Sequence, residues 1–201
     1  MFIFQNMINS IMAGFMIALS AAIYLTVGAP LGAFMFALGL LTILHFQFHL
    51  FTGKAGGLLL KQITPAALID VWLGNAMGCA LFAELILLTP QGGKISEAAA
   101  AITAVRISNL WFENILLGIF CGLLMYIAVV SYATKPYVTI LAVASFILLG
   151  TNHCVADMAY MFLAANVEMF VPAFAALLCS TIGNVIGCNI IPSTLAQKEM
   201  D

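Results

Sequence analysis

Apolar residues fill this chain in long runs, and its polar positions fall between those runs or, in a few places, inside them. A hydrocarbon core about 30 Å thick calls for roughly 20 apolar residues per helix. Six runs reach that length: 8–27, 31–60, 66–89, 109–133, 136–162 and 169–191. Their ends coincide with turn and helix-start chemistry at Gly28-Ala29-Pro30, Thr64-Pro65, Gln91-Gly92-Gly93-Lys94, Lys135-Pro136 and Val171-Pro172. The first run follows no basic segment and precedes no small-residue cleavage signal, so it reads as a retained span.

Two runs carry polar interruptions. In the second the string is Leu50-Phe51-Thr52-Gly53-Lys54, and in the fifth it is Gly150-Thr151-Asn152-His153-Cys154. Broken backbone at membrane depth survives only where protein buries it or a wet cavity takes it up. The runs that follow each break share a second signature: Gly74-Asn75-Ala76-Met77-Gly78-Cys79 in the third and Gly183-Asn184-Val185-Ile186-Gly187-Cys188 in the sixth. Each half, about 8–89 and 109–191, thus has three spans, one broken helix and one Gly-Asn helix. That pattern predicts an all-α membrane protein, a single transmembrane domain over 1–201 built as an inverted three-plus-three repeat. The glycines Gly74, Gly78, Gly183 and Gly187 are expected to permit close helix contact, and Asn75 and Asn184 to fasten the broken helices.

Composition fixes the solvent. With 64% hydrophobic and 7% charged residues and a mean hydropathy of +1.15, the chain cannot clothe a water-facing surface. A formal charge of -2 and the lack of a basic cluster exclude a nucleic-acid partner. Five cysteines in apolar stretches read as buried thiols. An even number of spans puts both termini on one side. Lys54, Lys61, Lys135 and Lys198 against Lys94 and Arg106 favour the cytoplasm for that side, and the expected location is a prokaryotic inner membrane.

These residues, in this order and spacing, resemble the formate/nitrite transporter family: Leu-Phe-Thr-Gly at 50–53, Gly-Asn at 74–75, Leu117-Gly118 and Ile127-Ala128-Val129, His153 with Val155-Ala156 and Met158, and the string from Thr181 to Gly187. The resemblance implies an aquaporin-like fold of six helices, a homopentamer with one pore per protomer, and small monovalent anions or their conjugate acids as cargo. It implies no enzyme activity and no cofactor. Carried over by position, His153 and Thr52 form the pore centre, with Asn152 beside them. Phe36, Leu40, Phe146 and Phe51 are constriction residues, and Arg106 is a vestibule cation where relatives often have lysine. Four positions depart from the family pattern. His49 and Asn152 stand where acids are common, Asp157 stands for an Asn, and Lys54 for a small polar residue. A polar Asn of the fourth span is matched to Gly122. The chain also starts almost at its first span, without the amphipathic segment of many relatives.

Two further expectations concern charge and metal. Lys54 and Asp157 each follow the interruption of their half, and each is costly at depth unless paired, so they are expected to neutralise one another across the pseudo-twofold axis. His45 and His49, four apart and so on one helix face, repeat the spacing of His153 and Asp157. That constellation supplies the alternative of an intramembrane metal enzyme or metal carrier. The favoured reading is a weak-acid channel: an anion attracted by Arg106 gains a proton from His153 or water, and the neutral acid passes the apolar neck.

Overall fold

The computed structural model describes residues 2–198, with side chains described for 6–195, and contains no strand among them. The Lys198 side chain and residues 199–201 lie outside that description, so the inner charge expected of Lys198 does too. The helices are α1 (Phe2–Val27), α2 (Leu31–His45), α3 (Phe51–Ala55), α4 (Pro65–Leu87), α5 (Gly92–Ser108), α6 (Trp111–Ser131), α7 (Pro136–Leu148), α8 (Cys154–Leu163) and α9 (Val167–Lys198). Four of them, α1, α4, α6 and α9, are long and apolar enough to cross a bilayer, and α2, α7 and α8 are shorter apolar pieces.

Local chemistry sets the starts. Thr64 accepts a hydrogen bond from Ala67 N at 3.2 Å ahead of Pro65, and Glu113 reaches back to Leu110 N at 2.8 Å at the start of α6. The last helix starts earlier than the Val171-Pro172 signal predicts. Asn166 Oδ1 accepts from Glu168 N and Met169 N, so the helix opens at Val167 and Pro172 falls inside it.

Both expected interruptions exist. The second is where the sequence puts it: α7 ends at Leu148, Gly150 takes φ 72°, and Thr151 bonds back to Phe146 O through both its N (3.1 Å) and its Oγ1 (2.9 Å). The first break sits earlier than predicted. It spans residues 46–50, with Gln47 at φ 57°, and Thr52, Gly53 and Lys54 belong to the short helix that follows it. His49 therefore lies beyond the end of α2, and the single helix face expected to hold it with His45 does not exist.

Packing follows the two halves. The dominant contacts pair α1 with α4 and α6 with α9. A Cβ at Gly78 would run into Ile11 O and one at Gly187 into Ile119 O, so backbone lies directly on backbone at both crossings. The short helices cross over: α3 packs on α6 and α9, and α8 packs on α1 and α4. One element was not foreseen. The segment between the third and fourth spans is a 17-residue helix, α5, which lays Ile95, Ala99 and Thr103 against the bundle and packs on α8 and α9. The outside is oily, with Leu73, Met77, Leu81 and Leu85 exposed one turn apart along α4, while Ser10, Ser20, Asn75, Asn114, Thr139, Asn152 and Asn184 are buried. Such a molecule is suited to lipid outside and polar contacts within.

Candidate functional site

The two breaks meet at the centre. Asn75 Oδ1 accepts from Phe51 N at 2.8 Å, and its Nδ2 donates to His49 O at 2.9 Å and Ser10 O at 2.7 Å. Asn184 repeats every element of this: Oδ1 accepts from Cys154 N at 2.9 Å, and Nδ2 donates to Asn152 O at 2.7 Å and Gly118 O at 2.9 Å. Each Asn thereby supplies the partners that a broken helix leaves without an intrahelical bond. One turn further on, the cysteines reach into the opposite half. Cys79 Sγ lies 3.5 Å from Val155 O, and Cys188 Sγ lies 3.4 Å from Thr52 O.

His153 stands at the start of α8 and is 2% exposed. Its Nδ1 accepts from Ala156 N at 3.1 Å, and its Nε2 lies 2.9 Å from Thr52 Oγ1. An Nδ1 that accepts carries no hydrogen, so the neutral ring bears its proton on Nε2 and donates it to Thr52. Thr52 and His153, one from each half, are thus joined by one hydrogen bond. Asn152, fully buried, points away from this pair and donates to Asn114 Oδ1 at 2.8 Å and Ser180 Oγ at 3.2 Å. Asn114 lies in the first turn of α6. Gly122, further along the same helix, packs against the backbone of Asn184 and Cys188.

Apolar side chains close the centre. The Phe146 ring stacks on the His153 ring with centroids 5.5 Å apart, and Phe36 meets Phe146 edge-on at 6.0 Å. Leu40 is 1% exposed and lies with Leu50 at the margin of a cavity of about 250 Å³ that also reaches Gly53, Lys54 and Val129. Phe51 does not join them. It lines a separate apolar groove with Leu68, Trp72, Leu178 and Val185. Adjacent residues at a helix start point in different directions, so Leu50 and Phe51 line different cavities.

On the other side of Phe146 a cavity of about 210 Å³ has His153 in its wall, together with Tyr24, Arg106, Gly150, Thr151 and Tyr160. The two cavities face opposite ends of the bundle. Arg106 O accepts from Asn114 near the start of α6, whereas Val129 lies at its end. A third cavity, about 350 Å³, adjoins Lys54 on that second side and holds His49, Gln62 and Asp70.

The charges pair differently from the expectation. Arg106 Nε bonds Asp157 Oδ1 at 3.2 Å, its two terminal nitrogens bond Gly150 O at 3.1 Å and Thr151 O at 3.0 Å, and Lys54 lies exposed with no ion pair to Asp157. The pairing across the pseudo-twofold axis fails because α5, unseen in the sequence, brings Arg106 onto the second break. No group of three or more His, Cys, Asp or Glu side chains is placed to hold a metal among the described residues. His45, His49, His153 and Asp157 do not converge.

The class is defined by these features together: an integral membrane protein of packed, partly broken helices, with cavities on both sides of a buried polar pair that aromatic rings cover. The formate/nitrite transporter family profile matches residues 2–196, and the chain belongs to that family. It is 30% identical over 183 residues to the formate channel FocA of Haemophilus influenzae, covering 77% of this chain and 64% of that protein's length. Among solved structures, a pentameric formate channel with formate bound superposes with a TM-score of 0.82 at 21% identity, covering 98% of this chain and 97% of the other. An FNT family ion channel superposes at 0.83, also at 21% identity, covering 98% and 90%. At that identity the likeness carries the fold.

Proposed function

We propose that this protein passes a small monovalent weak acid of the formate, nitrite, hydrosulfide or acetate kind across the membrane, and that the cargo crosses the neck as its neutral conjugate acid. The observation that carries this reading is the His153–Thr52 hydrogen bond, set between two helix breaks, with Phe146 stacked on the imidazole and a cavity on either side. An ion stripped of water at Phe36, Leu40, Leu50 and Phe146 pays several kcal/mol even after relaxation, whereas a neutral acid avoids most of that penalty. Desolvation also favours the protonated carboxyl, so the proton joins the anion in the cavity beside His153. The Thr52 hydroxyl, which accepts from His153 Nε2, can then donate its own hydrogen bond to the passing acid. Seen this way, the molecule is one transmembrane domain, an aquaporin-like inverted repeat of six spans in which α2 with α3 and α7 with α8 each count as one. It assembles as a homopentamer in a prokaryotic inner membrane with both termini cytoplasmic. The pentameric formate channel of like fold and the matching family profile support this picture.

The test is uptake of labelled formate into proteoliposomes. Uptake is expected to rise about tenfold for each unit by which external pH falls, as the acid form does above its pKa. His153→Phe is expected to abolish or strongly flatten that rise. A pH profile unchanged in the variant removes His153 from the proton path, and pH-independent uptake by the unaltered protein discards the weak-acid reading.

A further inference from the structure

The cavity beside His153 has one cation in its wall, Arg106, and the geometry around it shows where that charge goes. The guanidinium has five N–H donors. Three are committed: one to the carboxylate of Asp157 and two to the carbonyls of Gly150 and Thr151, in the break that follows α7. Asp157 is 7% exposed and sits behind the guanidinium, away from the cavity wall. Its second oxygen, Oδ2, is buried with no hydrogen-bond partner. Burying a carboxylate is costly; Ser180 beside it and a place in the first turn of α8 offset part of that cost. Its polar neighbours are Arg106 on α5, Ser180 on α9, Tyr160 and Cys154 on α8, and Cys121 on α6, with Tyr24 of α1 next to Tyr160. Thiols and phenols carry no charge near pH 7 at their ordinary values, so Arg106 and Asp157 set the charge of this region between them.

We infer that Asp157 is a specificity-determining residue: it cancels the charge of Arg106, so that the cavity beside His153 takes up a neutral polar solute or weak acid by hydrogen bonding and does not concentrate anions. The two N–H groups that Arg106 has left, with the hydroxyls of Tyr24 and Tyr160 in the same wall, form a neutral donor-rich surface. A lone cation there would instead draw in any small anion, with a strong dependence on ionic strength. The inference rests on the weak-acid reading for its purpose but not for its test.

Formate binding to the purified protein near pH 7, where formate is the anion, is measured by calorimetry at about 20 mM and about 500 mM inert salt. Uptake into proteoliposomes is measured under the same two conditions. For the unaltered protein, formate binding is expected to be weak and the same at both ionic strengths, and uptake equally flat. Asp157→Asn leaves a net positive cavity and is expected to bind formate at least tenfold more tightly at low salt, an advantage that high salt removes. Arg106→Gln with Asp157→Asn restores neutrality and is expected to return the flat salt response. Binding by the unaltered protein that falls tenfold between the two salts overturns the inference, and this arm needs no variant to fold. A folded Asp157→Asn protein with unchanged affinity and salt response overturns it as well. If the unaltered protein carries no formate but the binding arm behaves as stated, the transport reading fails and the charge assignment stands.

Discussion

Single side chains in this molecule do work that secondary structure does elsewhere. Asn184 meets one N–H and two carbonyls of broken or crossing backbone, and Asn75 does the same in the first half. A buried backbone group left unpaired costs about 1–3 kcal/mol. Replacing Asn184 by Ala orphans Cys154 N and removes the donor from Asn152 O and Gly118 O, so the loss is expected to reach about 3 kcal/mol or more. Thermal unfolding in detergent should show a clear drop, and formate uptake should fall with it because Cys154 carries His153 beside it. Asn184→Asp keeps the acceptor and loses the donors, and should fall between the two. An Ala variant that melts with the unaltered protein would make this fastening dispensable.

At the scale of elements, the two Gly-Asn helices act as the backs against which each half is built. Gly187 on α9 lies on Ile119 O of α6, where an added Cβ meets backbone and neither chain can move aside cheaply. Gly187→Val is expected to destabilise the α6–α9 pair by more than about 3 kcal/mol, in the range of severe overpacking. Gly93→Ala, whose Cβ meets nothing within 4 Å, should leave melting unchanged. Equal melting of the two variants would show that this crossing is not tight. The helices were largely legible in the sequence because membrane runs are long and uniform, and because Gly150 marks the second break in plain chemistry. Where the reading failed, physical signals were missing. The first break turns on Gln47, a residue that holds a left-handed backbone without the usual glycine. The helix α5 mixes alanines with Lys94, Glu97 and Arg106, so neither its hydropathy nor its period announces a packed element. Because α5 was missed, Arg106 had no path to Asp157, and a partner for Asp157 was sought in Lys54.

On the reading proposed above an uncharged cavity joins an uncharged neck, and that has a consequence for energetics across the membrane. A charge moved through the full potential changes its free energy by about 2.3 kcal/mol per 100 mV, so a carrier of bare anions responds steeply to voltage. On that reading a path on which Arg106 and Asp157 sum to zero, and in which Phe146 stacks on the His153 ring with Phe36 behind it, lets cargo cross the neck only once proton and anion have combined. Formate uptake into proteoliposomes is therefore expected to be the same with the membrane clamped at zero or at a large diffusion potential of either sign, and to follow an imposed pH gradient. Initial rates under a potassium and valinomycin clamp, with internal pH followed by a trapped dye, provide both readings. Each formate taken up should deliver one proton, because the acid dissociates on the far side. A rate that doubles or halves with the sign of the potential would mean that a net charge crosses, and the neck would then have to stabilise an ion that none of its side chains is placed to hold.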